Sequence, residues 1–283
     1  MANLAIRWEK TKKQSKNGKL KTAREEKEKK RIMYTIDNIK DTFICGDAVE
    51  EMKKIPDKSI DLVVTSPPYN LKNSTGNGLK SKGHGKWANA ALVNGYSTYD
   101  DNMPYEDYIK WQRDCLNEMM RVLKDNGAIF YNHKWRVQKG LIQDRHEITQ
   151  GFPVRQIIIW KRNGGINFNP GYFLPTYEVI YIIAQPDFKL VPHANAVGDI
   201  WEFTQEMNNK HPAPFPVSLI ERIISSTSAE IVLDPFMGSG TTAIAAKKLN
   251  RSFVGIEIAP EYCEMSRERL QEFYSLREAG ETA

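Results

Sequence analysis

Beyond Met33 two hydrophobic periods alternate along the chain. Short β-branched runs give way to segments whose apolar residues recur every three or four positions. The runs at 42–47, 60–65, 128–132, 155–160, 178–184, 230–234 and 252–258 predict seven strands. Helical spacing predicts helices over 48–55, 104–124, 217–226 and 241–250, and from Pro260 to about Tyr274. The helix opened by Pro104 is the clearest, with Tyr108, Trp111, Cys115, Met119 and Val122 on one stripe that reads as packing. Such alternation implies an α/β chain, a mainly parallel sheet with helices on both faces. Three stretches, about 71–103, 161–175 and 185–210, lose periodicity. A loop as long as the first is usually functional or mobile.

The most informative unit spans Glu230–Ile258: strand, glycine loop, helix, strand, acid. Gly238 and Gly240 allow backbone to approach a ligand where the loop meets the helix N-terminus at Thr241 and Thr242. Glu257 ends the second strand, placed to accept hydrogen bonds from ribose hydroxyls. The spacing Gly238-x-Gly240-x-x-Ala243 fits the loose dinucleotide fingerprint, a weak signal alone; strand and acid together point to a nucleoside-type cofactor. Few residues follow this unit, so the other strands must come from upstream. The strand at 60–65 then becomes its neighbour across a topological switch point, where ligands bind. That strand runs into Ser66-Pro67-Pro68-Tyr69-Asn70. Two prolines cannot continue a ladder, yet their carbonyls remain as acceptors. By itself this is a stiff turn or a pocket lip; a shared crevice favours the lip.

Together "TSPPYN" and "DPFMGSGTT" resemble the catalytic and cofactor motifs of the amino-directed DNA methyltransferases. Their order, catalytic motif first, is similar to the β group of that family, a circular permutation of the usual arrangement. The likeness covers roughly residues 34–270. It implies a Rossmann-like methyltransferase fold with seven strands, S-adenosylmethionine as methyl donor, and an exocyclic amine of a base in double-stranded DNA as acceptor. By the resemblance, Asp234, Phe236, Gly238, Gly240 and Thr241 line the methionine and ribose part and Glu257 binds the ribose. Asp47 contacts the adenine amino group, while His211 and Pro212 lie in the segment before the glycine loop. Ser66, Pro67, Pro68 and Tyr69 form the acceptor site. The Ser66 hydroxyl and Pro67 carbonyl would accept from the amine, and Tyr69 would stack on a flipped-out base. Serine at the first motif position looks more like the cytosine enzymes, so cytosine N4 is the expected acceptor. Asn70 is frequent in adenine enzymes and keeps adenine N6 as the alternative.

Composition narrows the chemistry. Methylation at ring carbon needs a thiolate, which in that family follows a proline; none of Cys45, Cys115 and Cys263 does. No His/Cys/Asp spacing marks a metal site, and His84 and His133 are at most DNA contacts. Residues 10–31 carry nine Lys and two Arg against three Glu, a local charge of +8 in a chain of formal charge +5, so the remainder is −3. Residues 1–33 therefore read as a basic tail, either a solvated extension or a phosphate contact, ahead of one methyltransferase domain over 34–283. No apolar run suits a membrane span or signal peptide, and a cytoplasmic, nucleoid-associated enzyme is expected. A cognate restriction endonuclease is a candidate partner; monomer and homodimer both stay open. A nicotinamide-dependent oxidoreductase would leave Ser-Pro-Pro-Tyr idle, a protein-glutamine methyltransferase would carry Asn in place of Ser66, and a silent DNA-binding protein would transfer no methyl.

Overall fold

The computed structural model describes residues 33–70, 102–138, 140–163, 169–204 and 215–280. In chain order the elements are helix α1 (Ile36–Ile39), strand β1 (Thr42–Cys45), α2 (Ala48–Met52), β2 (Ile60–Thr65), α3 (Tyr105–Val122) and β3 (Leu123–His133). There follow a small hairpin, β4 (Arg136–Gln138) and β5 (Leu141–Gln143), then α4 (His146–Thr149), β6 (Val154–Lys161), β7 (Tyr177–Ala184) and β8 (Ile200–Glu202). The last group is α5 (Val217–Ser225), β9 (Ile231–Asp234), α6 (Thr241–Lys248), β10 (Ser252–Glu257) and α7 (Pro260–Glu278). The basic tail to residue 32, nearly all of the loop at 71–103 with His84, and His211 with Pro212 lie outside the described residues.

The main sheet runs β1-β10-β9-β2-β3-β7-β6-β8. Its first five strands are mutually parallel, β7 is antiparallel to both β3 and β6, and β8 is parallel to β6. The sheet has eight strands among the described residues, not the expected seven. The extra strand is β8, inside the aperiodic stretch at 185–210. It has three residues, of which only Trp201 is buried, and one buried side chain carries no period.

β3 also begins five residues earlier than expected, with no turn after α3. "KDNG" reads as a turn, but Lys124 pairs with Asp61 at 2.7 Å and β2 pairs with β3 from Ile60↔Leu123 onward through an irregularity. A Cβ on Gly127 would lie 2.9 Å from the Asp61 carbonyl, so glycine permits this close crossing.

Alternate residues of each central strand face opposite layers, as the pleat requires. Leu62, Val64, Phe130, Ile180 and Ile182 pack with α5, α6 and α7 through Leu219, Ile223, Ala243 and Leu270. On the other side α3 covers β3, with Tyr108, Cys115, Leu116 and Met119 fully buried. At roughly 1.5–3 kcal/mol per buried large apolar side chain, these two layers supply most of the driving force that orients the sheet. Val63↔Leu233 pairing sets β2 beside β9, so Ser66 and the glycine loop emerge at neighbouring strand ends, at the switch point.

Candidate active site

A cavity of about 280 Å³ opens between these strand ends. Gly46, Asp47 and Ala48 of the β1–α2 turn contribute to one side of it, with Phe236, Gly238, Glu257 and Ile258. Ser66, Pro68, Met103 and Trp111 contribute the rest. The Trp111 ring stands edge-on to Phe236 at 5.6 Å, joining α3 to the glycine loop. The helical stripe that carries Trp111 packs as its spacing predicts, but its end reaches the cavity.

The glycine-loop wall is shaped by backbone. Gly238 and Gly240 have φ of 54° and 84°, the left-handed region that glycine enters without strain. A Cβ on Gly240 would meet Ser266 of α7 at 3.0 Å, and Ser266 donates to the Gly238 carbonyl at 2.8 Å, so α7 braces the loop from behind. Glu257 accepts from the amides of Gly238 and Ala259, each at 2.9 Å. Burial pushes its carboxyl above the usual range while those amides hold it down, and the first effect is larger. A carboxylate offers about four lone-pair sites, so two amides leave acceptor capacity for a ligand hydroxyl. Asp47 caps α2, accepting from the Glu50 amide at 3.0 Å, while also lining the cavity.

Asp234 sits deeper. It accepts from Thr65 Oγ1 at 2.7 Å, Thr242 Oγ1 at 2.6 Å and the Phe236 amide at 3.0 Å, bolting β2 to the glycine loop. Burial outweighs the three donors and lifts its pKa to about 6. The cavity wall includes Asp47, Phe236, Gly238, Glu257, Ser66 and Pro68 of the expected site residues. Asp234, Gly240 and Thr241 lie behind it, with Thr241 and Ser239 facing Arg269 of α7.

On the acceptor wall, the Pro68 carbonyl is occupied by Tyr108 Oη at 2.9 Å and Gln112 Nε2 at 3.2 Å. Among the described residues nothing donates to the Pro67 carbonyl. Tyr69 does not line the cavity. It is 8% exposed, its ring 5.1 Å from that of His133. The Tyr69 hydroxyl meets Ser66 Oγ at 2.5 Å and Glu178 Oε2 at 3.0 Å. Asn132 Nδ2 donates to that hydroxyl at 2.5 Å and to Glu178 Oε2 at 2.7 Å, while Arg162 pairs with Glu178 Oε1 at 3.1 Å. His133 is buried against Tyr108 Oη, a packing role rather than a DNA contact.

Asn132, Arg162 and Glu178 are the polar residues that sequence reading missed. Glu178 opens an apolar strand, and only the β3–β7 pairing reveals what it faces. Among the described residues Asp144, His146 and Glu147 bring potential ligand atoms within 4.8 Å, but Asp144 and His146 are already an ion pair at 3.0 Å.

The model of the family described as DNA methylase matches residues 60–268. Among curated proteins, the chain is 32% identical over 266 residues to Type II methyltransferase M.BglII of Bacillus subtilis, covering 78% of this chain and 66% of that one. It is 33% identical over 257 residues to Type II methyltransferase M.HpaI of Haemophilus parainfluenzae, covering 81% and 73%. Among solved structures, a DNA modification methylase of Thermus thermophilus complexed with S-adenosyl-L-methionine aligns with a TM-score of 0.58 at 26% identity, over 82% of this chain and 95% of that one.

Proposed function

Because the chain belongs to the N6/N4 DNA methylase family, we propose that it methylates the exocyclic N4 amine of cytosine in duplex DNA, with Ser66 at the acceptor site. One observation carries the reading: Ser66 and the glycine-loop residues Phe236, Gly238 and Glu257 line the same cavity. S-adenosylmethionine is the cofactor, and when bound it supplies an electrophilic methyl on a sulfonium leaving group. The residues present fit it: Glu257 has acceptor capacity for the ribose diol, Asp47 offers a carboxylate, Gly238 brings backbone close, and Trp111, Phe236 and Ile258 give apolar faces.

An exocyclic base amine is a poor nucleophile, since its lone pair is delocalised into the ring. Acceptors on its N–H groups favour the pyramidal nitrogen, and they strengthen as positive charge develops there. Ser66 Oγ and the Pro67 carbonyl supply two such acceptors, so their contribution falls on the transition state. A stacked duplex hides the amine, so the base must be flipped out at a cost of a few kcal/mol. The cavity is lined by strand ends and loops, which leaves the sheet rigid beneath the reacting atoms.

The choice of cytosine rests on Ser66, which resembles the first motif residue of the cytosine enzymes. Adenine N6 is the second reading, favoured by Asn70 and by the 28% identity to YhdJ of Escherichia coli K12, a DNA adenine methyltransferase. A restriction endonuclease of matching sequence belongs to the same proposal, as M.BglII and M.HpaI are Type II methyltransferases. Digesting DNA methylated in vitro to nucleosides and weighing them tests the base. N4-methylcytidine products are expected; N6-methyladenosine products alone would transfer the proposal to adenine.

A further inference from the structure

The geometry points to Glu178 as a positioning residue for methyl transfer, one that fixes the polarity of the Ser66 hydroxyl through Tyr69. This rests on the reading that Ser66 accepts from the amine. A serine hydroxyl can donate or accept, and only the second serves an N–H. Something must settle which way its proton points.

The hydrogen-bond inventory does so. The Asn132 amide directs its Nδ2 protons to Tyr69 Oη and Glu178 Oε2, at 2.5 and 2.7 Å. Glu178 Oε1 faces the Arg162 guanidinium at 3.1 Å, with both side chains about nine-tenths buried, which holds the acid as carboxylate. A carboxylate accepts only, so the 3.0 Å contact with Tyr69 requires the phenol to donate its single proton to Glu178. The 2.5 Å contact between Tyr69 and Ser66 must then be a donation from Ser66 to the phenol oxygen. That phenol accepts from Asn132 and Ser66 and donates once. Ser66, which lines the cavity, is left with lone pairs alone to present there. The order is Ser66 to Tyr69 to Glu178, anchored by Arg162.

Glu178→Gln inverts this order with almost no change in shape. Arg162 would keep the amide oxygen, turning the amide hydrogens toward Tyr69. Tyr69 would then donate to Ser66, and Ser66 would aim its proton at the amine. The test is single-turnover methyl transfer from labelled S-adenosylmethionine to unmodified PCR-amplified DNA, with enzyme in excess. Cofactor affinity is measured on the same samples by calorimetry.

We expect Glu178→Gln to slow transfer by about 10- to 100-fold, as for loss of a supporting hydrogen-bond partner, with cofactor affinity within about twofold. Tyr69→Phe, which keeps the ring and cuts the chain, should slow it similarly. The double variant should be no slower than the slower single one, because both act through one hydroxyl. A merely structural Glu178 would give multiplying effects instead, and that result overturns the assignment, as does a Glu178→Gln rate near wild type. Should Glu178→Gln fail to bind cofactor, Tyr69→Phe decides, and a wild-type rate there overturns the assignment. Ser66→Ala separates the two levels. If it is slow while Glu178→Gln is not, only the Glu178 role falls; if it is unaffected, the acceptor reading itself falls.

Discussion

On the glycine-loop side of the crevice, Asp234 reaches Phe236 and Thr242, two and eight positions away, and Glu257 reaches Ala259 and Gly238, two and nineteen positions away. On the Ser66 side the contacts are long-range: Ser66 to Asn132 spans 66 positions, Asn132 to Glu178 spans 46, and Tyr69 to Glu178 spans 109. The first wall is a local loop that shapes itself with backbone amides and left-handed glycines. The second exists only once β2, β3, β6 and β7 lie side by side. A defect in the first should therefore remove a ligand, and a defect in the second should leave binding intact while spoiling alignment.

Gly238→Val should show the largest effect. It places a β-branched residue at φ 54° and fills the space where backbone meets cofactor. S-adenosylmethionine affinity should fall about 100-fold or more, roughly 2.7 kcal/mol, by calorimetry; an affinity within threefold of wild type would refute the loop's role. Next comes Ser66→Ala, expected to cut the single-turnover rate by about 10- to 1000-fold while cofactor affinity stays within about twofold. If both quantities drop together, the two walls are not separable and the contrast fails.

Asp234 joins the walls and gives the smallest, pH-dependent effect. Its pKa is raised from 3.8 to about 6, so the folded protein favours the protonated acid. That contribution is fully present below about pH 4 and is lost as pH rises through about 6. Between pH 5 and 7.5 it should remove about 1 kcal/mol of stability, which Asp234→Asn should abolish. Denaturant melts of both proteins across that range measure the difference; identical slopes would show that Asp234 does not titrate there.

The contrast also explains what the sequence made legible. Gly238, Gly240 and Glu257 announce themselves because their partners are nearby and glycine has few other reasons to be there. The pairing of β2 with β9 followed from the alternation of periods and the need for neighbours. Arg162 misled, since it stands in a basic, Gly/Asn-rich stretch that reads as DNA-facing, yet it turns inward to Glu178. Its direction depends on the β6–β7 register, Lys161↔Tyr177 and Trp160↔Glu178, which no local pattern encodes. Trp111 was ambiguous for the opposite reason: helical spacing identifies a buried stripe but not whether its end meets core or cavity.

The sheet order carries a further consequence, for synthesis. β1 sits at the sheet edge with β10 as its neighbour, although some two hundred residues separate them in the chain. At about 5–20 residues per second, a nascent β1 waits roughly 10–40 s before its partner is made. The Ser66 wall can assemble early, because β2, β3, β6 and β7 are all translated before β9. The cofactor wall is the last to form, and β2 keeps an unpaired edge until then. Such late, long-range pairing makes for slow folding and a window of exposure to association with other chains. On the ribosome this enzyme therefore acquires the bed for its acceptor base before it can hold a methyl donor.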